Sequence, residues 1–91
     1  MMTIWKYKLT VADTQYIAIP RGGQFLSVQM QGQDLCVWVL FNRAEPRVDR
    51  RAVHVIGTGN PIPDGLLRGT AFLGTVQCGA FVWHVFVDRG L

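Results

Sequence analysis

The sequence has little charge. Charged residues make up 16% of its 91 residues, against roughly 25% in an average soluble protein, whereas hydrophobic residues make up 49%. A disordered chain has the opposite balance, with high charge and low hydrophobicity. We therefore expect a folded protein, and we expect part of its apolar surface to face a partner.

The excess of positive charge is also small. Nine Lys or Arg residues stand against six Asp or Glu residues, which gives a formal net charge of +3. A balance this mild permits contact with nucleic acid without arguing for it. Nucleic acid is therefore a possible partner but not the favoured one.

Long apolar runs are missing. The most apolar stretch, Leu35 to Phe41, is seven residues long, whereas a helix that crosses a bilayer needs about 18. The beginning, MMTIWKYKLTVADTQ, has no extended apolar core followed by small residues, as a secretory signal would have. We expect a soluble, cytoplasmic protein with no membrane partner, in which Cys36 and Cys78 are free thiols.

The standard phosphate-binding motifs are incomplete. Gly57-Thr58-Gly59 begins a dinucleotide fingerprint, but Ile62 occupies the third glycine position, and Pro61 and Pro63 prevent a helix from starting there. A Walker-type loop needs a lysine, and none occurs after Lys8. The stretch VIGTGNPIPDG is therefore predicted to be a stiff connection between strands, or alternatively a preformed rim that receives an anion or a partner backbone.

Metal and catalytic constellations are lacking as well. The two histidines, His54 and His84, have no cysteine or histidine at metal-ligand spacing, so we predict no metal and no cofactor. Nucleophilic catalysis by a cysteine would need a histidine and an orienting acid beside it, and no spacing supports this. The carboxylates all lie in or beside predicted turns, so no acid/base pair can be nominated and we predict a non-enzyme without catalytic residues: Asp13, Asp34, Glu45, Asp49, Asp64 and Asp88.

What is present is alternation with period two, punctuated by Gly, Pro and turn residues. It predicts an all-β fold: one compact domain over residues 1–91, a barrel or two-layer sandwich of about seven mostly antiparallel strands. A short helical turn is predicted near residues 64–68, with Asp64 as its cap.

The same alternation predicts which side chains face the core. In the first strand, Trp5, Tyr7 and Leu9 share one face, and in Phe25 to Gln31 the inward residues are Leu26, Val28 and Met30. The aromatic residues Trp5, Tyr7, Trp38 and Trp83 are expected in the core rather than on a stacking platform for bases.

Two segments are apolar on both faces, Leu35 to Phe41 and Ala80 to Val87. Each is predicted to be a central strand covered on both sides or part of a subunit interface. Because their second faces exceed what one small core can cover, we expect a homo-oligomer. Residues 43–51 carry four arginines against two acids, and we expect them to form a solvated or partner-facing rim.

Four segments together carry a resemblance: TIWKYKL, FLSVQMQGQDLCVWVLF, VIGTGNPI and GTVQCGAFVWHVF. In this order they resemble a family of small uncharacterised proteins encoded by bacteriophages and prophages. The resemblance covers nearly the whole chain and implies a phage or prophage origin and a bacterial cytoplasmic setting. It brings no activity with it.

Three functions remain open. The leading hypothesis is a non-enzymatic phage accessory protein that works by binding, as a homo-oligomer or on a host protein. The second is a pocket for a small nucleotide-like ligand, with charge from an arginine and the candidate residues Gly57, Thr58, Gly59, Asn60, Arg50, Arg51, Arg68 and His84. The third is single-strand nucleic-acid binding by an OB-like sheet.

Overall fold

The computed structural model describes residues 1–90 as seven β-strands. Alternating, β-branched segments form the strands, and Gly- and Pro-containing segments separate them. In chain order they are β1 (Met2–Lys8), β2 (Thr14–Pro20), β3 (Gln24–Gln31), β4 (Asp34–Asn42), β5 (Val48–Gly57), β6 (Thr70–Cys78) and β7 (Phe81–Asp88).

The strands form two separate sheets, one ordered β1-β4-β3 and the other β2-β5-β7-β6. Every pairing is antiparallel. The sheets face each other chiefly through β3 and β6. The all-β prediction and the two-layer sandwich are therefore confirmed, whereas a closed barrel is not formed.

The core lies between the sheets and consists mainly of valines. Val37 and Val39 of the first sheet and Val53 and Val85 of the second are fully buried. Each comes from an interior strand of its sheet, β4, β5 or β7. Interior strands lose solvent on both edges, which is why the β-branched runs of the sequence lie there.

Three inward predictions were wrong. Trp38, expected in the core, is half-buried on the outward face of β4. Trp5 lies on the face of β1 that carries Tyr7. Tyr7 packs on the core, but Trp5 is 57% exposed because the second sheet is packed mainly against β3 and does not cover this part of β1. A bulge between Phe25 and Ser27 shifts the alternation of β3, so Phe25 packs on the core while Leu26 is exposed.

The predicted helical turn near residues 64–68 was also wrong. The chain makes consecutive tight turns there, closed by hydrogen bonds from the Leu66 N–H to the Pro63 carbonyl and from the Arg68 N–H to the Gly65 carbonyl. Gly65 has a φ of 80°, which no right-handed helix allows. Across residues 1–90 there is no helix long and apolar enough to cross a membrane.

The two strands that are apolar on both faces are interior strands, as one of the alternatives predicted. β4 is the middle strand of its sheet, and β7 lies between β5 and β6. Their outward faces are covered unequally, since Cys36 is buried while Trp38 and Leu40 are half-buried. Neighbouring strands and side chains therefore account for part of this apolar surface, and the rest stays open to solvent.

Candidate functional site

Five of the predicted site residues meet in one pocket, on the outer face of the second sheet. The segment after β5 lies beside β6 and β7 and forms with them an open pocket of about 240 Å³. We call this the His84 pocket; it is lined by Ile56, Gly57, Thr58, Gly59, Asn60, Ile62, Phe72, His84 and Phe86.

The glycines of this segment have backbone roles. A Cβ on Gly57 would lie 2.9 Å from the Asn60 amide nitrogen and 3.1 Å from the Trp83 ring. Gly59 has a φ of 86°, in a turn that the Asn60 N–H closes on the Gly57 carbonyl at 3.0 Å. The first glycine therefore allows close packing, and the second allows the turn.

His84 is held by two threonine hydroxyls. Its Nε2 lies 2.7 Å from Thr58 Oγ1, and its Nδ1 lies 2.9 Å from Thr75 Oγ1. A hydroxyl both donates and accepts, so a neutral ring can donate from one nitrogen and accept at the other. Both nitrogens are satisfied, and the ring is fixed as one wall of the pocket.

The remaining walls of the His84 pocket are apolar. Phe72 and Phe86 pack at 5.3 Å between ring centroids, and Ile56 and Ile62 complete the lining. No arginine lines this pocket. Its chemistry suits an apolar or aromatic group rather than a phosphate.

The predicted arginines lie elsewhere. Arg50 and Arg51 are near the start of β5, and Gly57 is its last residue. Gly57 lies six positions after Arg51 along the strand, a distance of about 20 Å. Arg68, in the segment between β5 and β6, lines neither location. The structure therefore divides the predicted site between the two ends of β5.

Arg50 and Arg51 contribute to a larger cleft of about 730 Å³ at the start of β5 and the end of β7. We call it the arginine cleft; its lining consists of Arg21, Gly22, Asp49, Arg50, Arg51, Gly69, Asp88, Arg89 and Gly90. Its residues come from four separate segments of the chain, so no local pattern indicated that Arg21 and Arg89 belong with the predicted pair.

An ion pair between buried Arg51 and half-buried Asp88 forms the base of the arginine cleft. Arg51 is only 7% exposed and donates to the Asp88 carboxylate, to the Asp88 carbonyl at 2.8 Å and to the Gly23 carbonyl at 2.9 Å. Its guanidinium also lies 4.9 Å from the centroid of the Phe25 ring. These contacts tie β7 and the start of β3 to β5.

Asp88 is ionised in this setting. Burial alone would raise the pKa of its carboxyl group, but the hydrogen bonds from the Ala52 N–H and the Arg51 guanidinium and the charge of Arg51 outweigh burial. The pKa of Asp88 is therefore below its ordinary value of 3.8. Arg51 and Asp88 together form a neutral, structural pair.

The other arginines of the cleft are more exposed. Arg21 pairs with Asp49 at 3.1 Å, Arg50 lies over the Tyr16 ring at 4.9 Å, and Arg89 donates to the Thr70 carbonyl at 3.1 Å. Within residues 1–90, neither Arg50 nor Arg89 forms a salt bridge.

The second histidine and the cysteines lie apart from both locations. His54 is buried, with its Nδ1 2.9 Å from Thr14 Oγ1. Cys36 and Cys78 are free thiols, the first buried and the second half-buried. In the part of the chain that the structure describes, no three His, Cys, Asp or Glu side chains are grouped as metal ligands.

Strand β1 carries exposed apolar side chains that the sequence did not predict. Met2, Ile4 and Trp5 are exposed although they lie in a regular strand. Because successive residues point to opposite faces, Ile4 and Trp5 expose apolar surface on both sides of β1. The alternation identified the strand, but it could not show that one side lacks a covering layer.

These features define a small antiparallel β-sandwich with an apolar pocket, an arginine cleft and an uncovered apolar edge strand. The chain belongs to the family described as Domain of unknown function (DUF7352), whose model matches residues 1–90. No curated protein and no solved structure matches the chain.

Proposed function

We propose that this is a phage or prophage accessory protein of the bacterial cytoplasm, a non-enzymatic binding module that self-associates through β1. The observation that carries self-association is an edge strand with apolar side chains exposed on both faces. Within residues 1–90, β1 pairs with β4 alone, so its other edge presents free backbone donors and acceptors. Such an edge is a template for pairing with a further strand.

The other three edge strands each carry a feature that discourages pairing. Bulges interrupt β3 between Phe25 and Ser27 and β6 between Phe72 and Gly74, and β2 ends at Pro20. Bulges and prolines are common means by which edge strands avoid one another. β1 has neither, so it is the edge best suited to accept a partner.

The lysines of β1 do not place their charges at its unpaired edge. Lys6 donates to the Gln31 side chain, and Lys8 pairs with Asp34 at 3.3 Å. Both partners lie at the β3–β4 hairpin, so the two ammonium groups reach across the sheet, away from the free edge. This placement removes the charge repulsion that lysines usually provide at an edge.

A second copy fits this edge. Antiparallel pairing of two β1 strands about a two-fold axis would join two three-stranded sheets into one of six strands, with the same patch buried on both copies. It would also cover Trp5, whose ring otherwise packs edge-to-face on Phe41 at 5.2 Å. Buried aromatic residues of this kind supply much of the energy of an interface.

The polar contacts favour binding over catalysis. Both histidines are bonded to threonine hydroxyls. Hydrogen bonds from Arg47 lower the pKa of Glu45, and the pKa of Asp88 is lowered too, whereas a general acid at neutral pH needs a raised carboxyl pKa.

The sequence resemblance supports the phage origin. A host protein is the alternative partner, because it could add a strand to the same free edge of β1.

The test compares the mass of the protein in solution with that of two variants. Trp5 and Phe81 are 57% and 63% exposed, and each packs against one aromatic ring. We expect light scattering to give a dimer for the wild type and for Phe81→Lys, and a monomer for Trp5→Lys, because only Trp5 lies on the proposed interface. A wild type that stays monomeric at about 1 mM, far above the Kd of a stable dimer, would overturn self-association.

A second candidate function is binding of the predicted nucleotide-like ligand. The His84 pocket changes which part of that ligand we expect it to bind. The aromatic walls favour the base or another flat ring over the phosphate. A panel of cyclic and ADP-ribose-type nucleotides should then raise Tm by mass action, and Phe72→Ala should abolish the rise. A flat response across the panel would remove this candidate.

A further inference from the structure

We propose that the arginine cleft binds a small ligand that carries two or more phosphate charges. This site is separate from the His84 pocket and from β1, so the inference does not rest on the proposed self-association. The cleft has the volume of a small-ligand site, about 730 Å³ against a usual range of roughly 300 to 1,000 Å³.

The charge of the cleft is unbalanced. Four arginines and two aspartates line it, which leaves a net charge of +2 (4 − 2). The two aspartates are engaged by Arg51 and Arg21. Arg50 and Arg89 therefore supply the excess charge, and within the described residues they form no salt bridge.

The base of the cleft is rigid, which favours binding. Arg51 is fixed by four contacts, to the Asp88 carboxylate, to two carbonyl groups and to the Phe25 ring. Arg50 is placed on the Tyr16 ring, and Arg89 is placed by its bond to Thr70. Guanidinium groups held in position lose little conformational freedom when an anion binds.

The rim leaves the backbone open to a ligand. Gly22 and Gly69 have φ values of 81° and 74°, and a Cβ on either would meet nothing within 4 Å. Glycine at such positions lets a ligand approach the main chain without a side chain in the way. Guanidinium forks beside accessible backbone match the oxygens of a phosphate group, which they bind bidentately.

Inorganic pyrophosphate is the probe that tests this chemistry, by isothermal titration calorimetry at about 50 mM salt, where exposed charges are only partly screened. We expect the wild type to bind pyrophosphate. Arg50→Gln and Arg89→Gln should each raise the Kd about tenfold, because each removes charge-assisted hydrogen bonds. Arg68→Gln is the matched control, because Arg68 is exposed outside the cleft, and it should stay within about twofold.

Two further ligands distinguish the source of the phosphate. ADP binding more tightly than pyrophosphate assigns the site to a nucleotide, and equal affinity assigns it to the phosphate groups alone. The proposal is overturned if pyrophosphate gives no binding, if Arg68→Gln weakens binding as much as the cleft variants, or if only a single-stranded oligonucleotide binds, with a steep salt dependence. Circular dichroism confirms that each variant is folded.

Discussion

At the residue scale, the Arg51–Asp88 pair explains how a charged side chain lies inside a small sandwich. Arg51 is buried in β5 beside fully buried Val53, where an unpaired guanidinium would be costly. Asp88 supplies the carboxylate and its own carbonyl, and Gly23, in the connection between β2 and β3, supplies another carbonyl. The pair thus satisfies the arginine and links the ends of three strands.

Because the pKa of Asp88 is lowered in the folded state, its contribution to stability is fully present above the ordinary value of 3.8 and is lost as the pH falls through the folded pKa. We expect the free energy of unfolding to drop below about pH 4. Asp88→Asn should lose about 2 kcal/mol at pH 7, because Arg51 is left without its carboxylate, and should show a shallower acid slope.

Urea denaturation at pH 7, 4 and 3 measures both effects. Asp49→Asn is the control, since the Arg21–Asp49 pair is exposed and should cost under about 1 kcal/mol. Equal losses from the two substitutions, or parallel pH profiles for the wild type and Asp88→Asn, would contradict this account of the Arg51–Asp88 pair.

At the element scale, β3 and β6 hold the two sheets together, and both are irregular. Each carries a bulge, between Phe25 and Ser27 in β3 and between Phe72 and Gly74 in β6. Gly74 lies directly opposite Val28, so close that a Cβ there would be 2.8 Å from Val28 Cγ1. The absence of a side chain at Gly74 is what allows this close approach of the sheets.

Gly74→Ala should therefore destabilise the protein by about 1–3 kcal/mol through overpacking, because the β-branched Val28 cannot rotate away. Val28→Ala in the same chain should relieve the clash, so that the double variant is more stable than the sum of the single losses by about 1 kcal/mol. Chemical denaturation of the four proteins measures this coupling. Additive losses would show that the two residues do not limit the approach of the sheets.

The alternation of the sequence predicted the strands better than their faces. It identified seven strands because the period of two is local to each strand. It misplaced Leu26 because a bulge moves one residue out of register, and nothing local in FLSVQMQ signals that bulge. It also placed Trp5 in the core, and this was wrong because distant residues decide which part of a strand a second sheet covers.

At the scale of the whole molecule, the fold is a flat plate with extents of 41 × 32 × 16 Å. Two layers of strands leave much of the apolar composition on outer faces and edges, which is consistent with the 49% hydrophobic content and the low charge of the chain. β1 is the part that the second layer covers least. A further copy at this edge would enlarge the buried area without altering the core.

If the protein self-associates through β1, its thermal stability must depend on concentration, because the dimer forms only from folded chains. We expect Tm to rise by roughly 3–5 °C for each tenfold increase in concentration while the dimer dominates. Differential scanning calorimetry over two decades of concentration measures this. Trp5→Lys should show a constant Tm, and a constant Tm for the wild type as well would argue against the interface.

Some of the site could be predicted from local sequence, and the rest depended on the fold. Gly57 to Asn60 could be recognised as a stiff connection because glycine and proline act on their own backbone. Their meeting with His84 depends on the pairing of β5 with β7, which places Ile56 beside His84. The arginine cleft needed still more of the fold, since Arg21, Arg50 and Arg89 come from separate strand ends.

The sequence by itself determined the strands, the all-β class and the failure of the phosphate-loop motifs, because periodicity, proline and glycine act over a few neighbouring residues. Only the tertiary structure decided that the sheets stay separate, that β1 is left uncovered and that the arginines gather 20 Å or so from the loop expected to use them. Those outcomes depend on which strands pair and which faces meet. Pairing is set by interactions between segments that are distant in the sequence, so no local pattern predicts it.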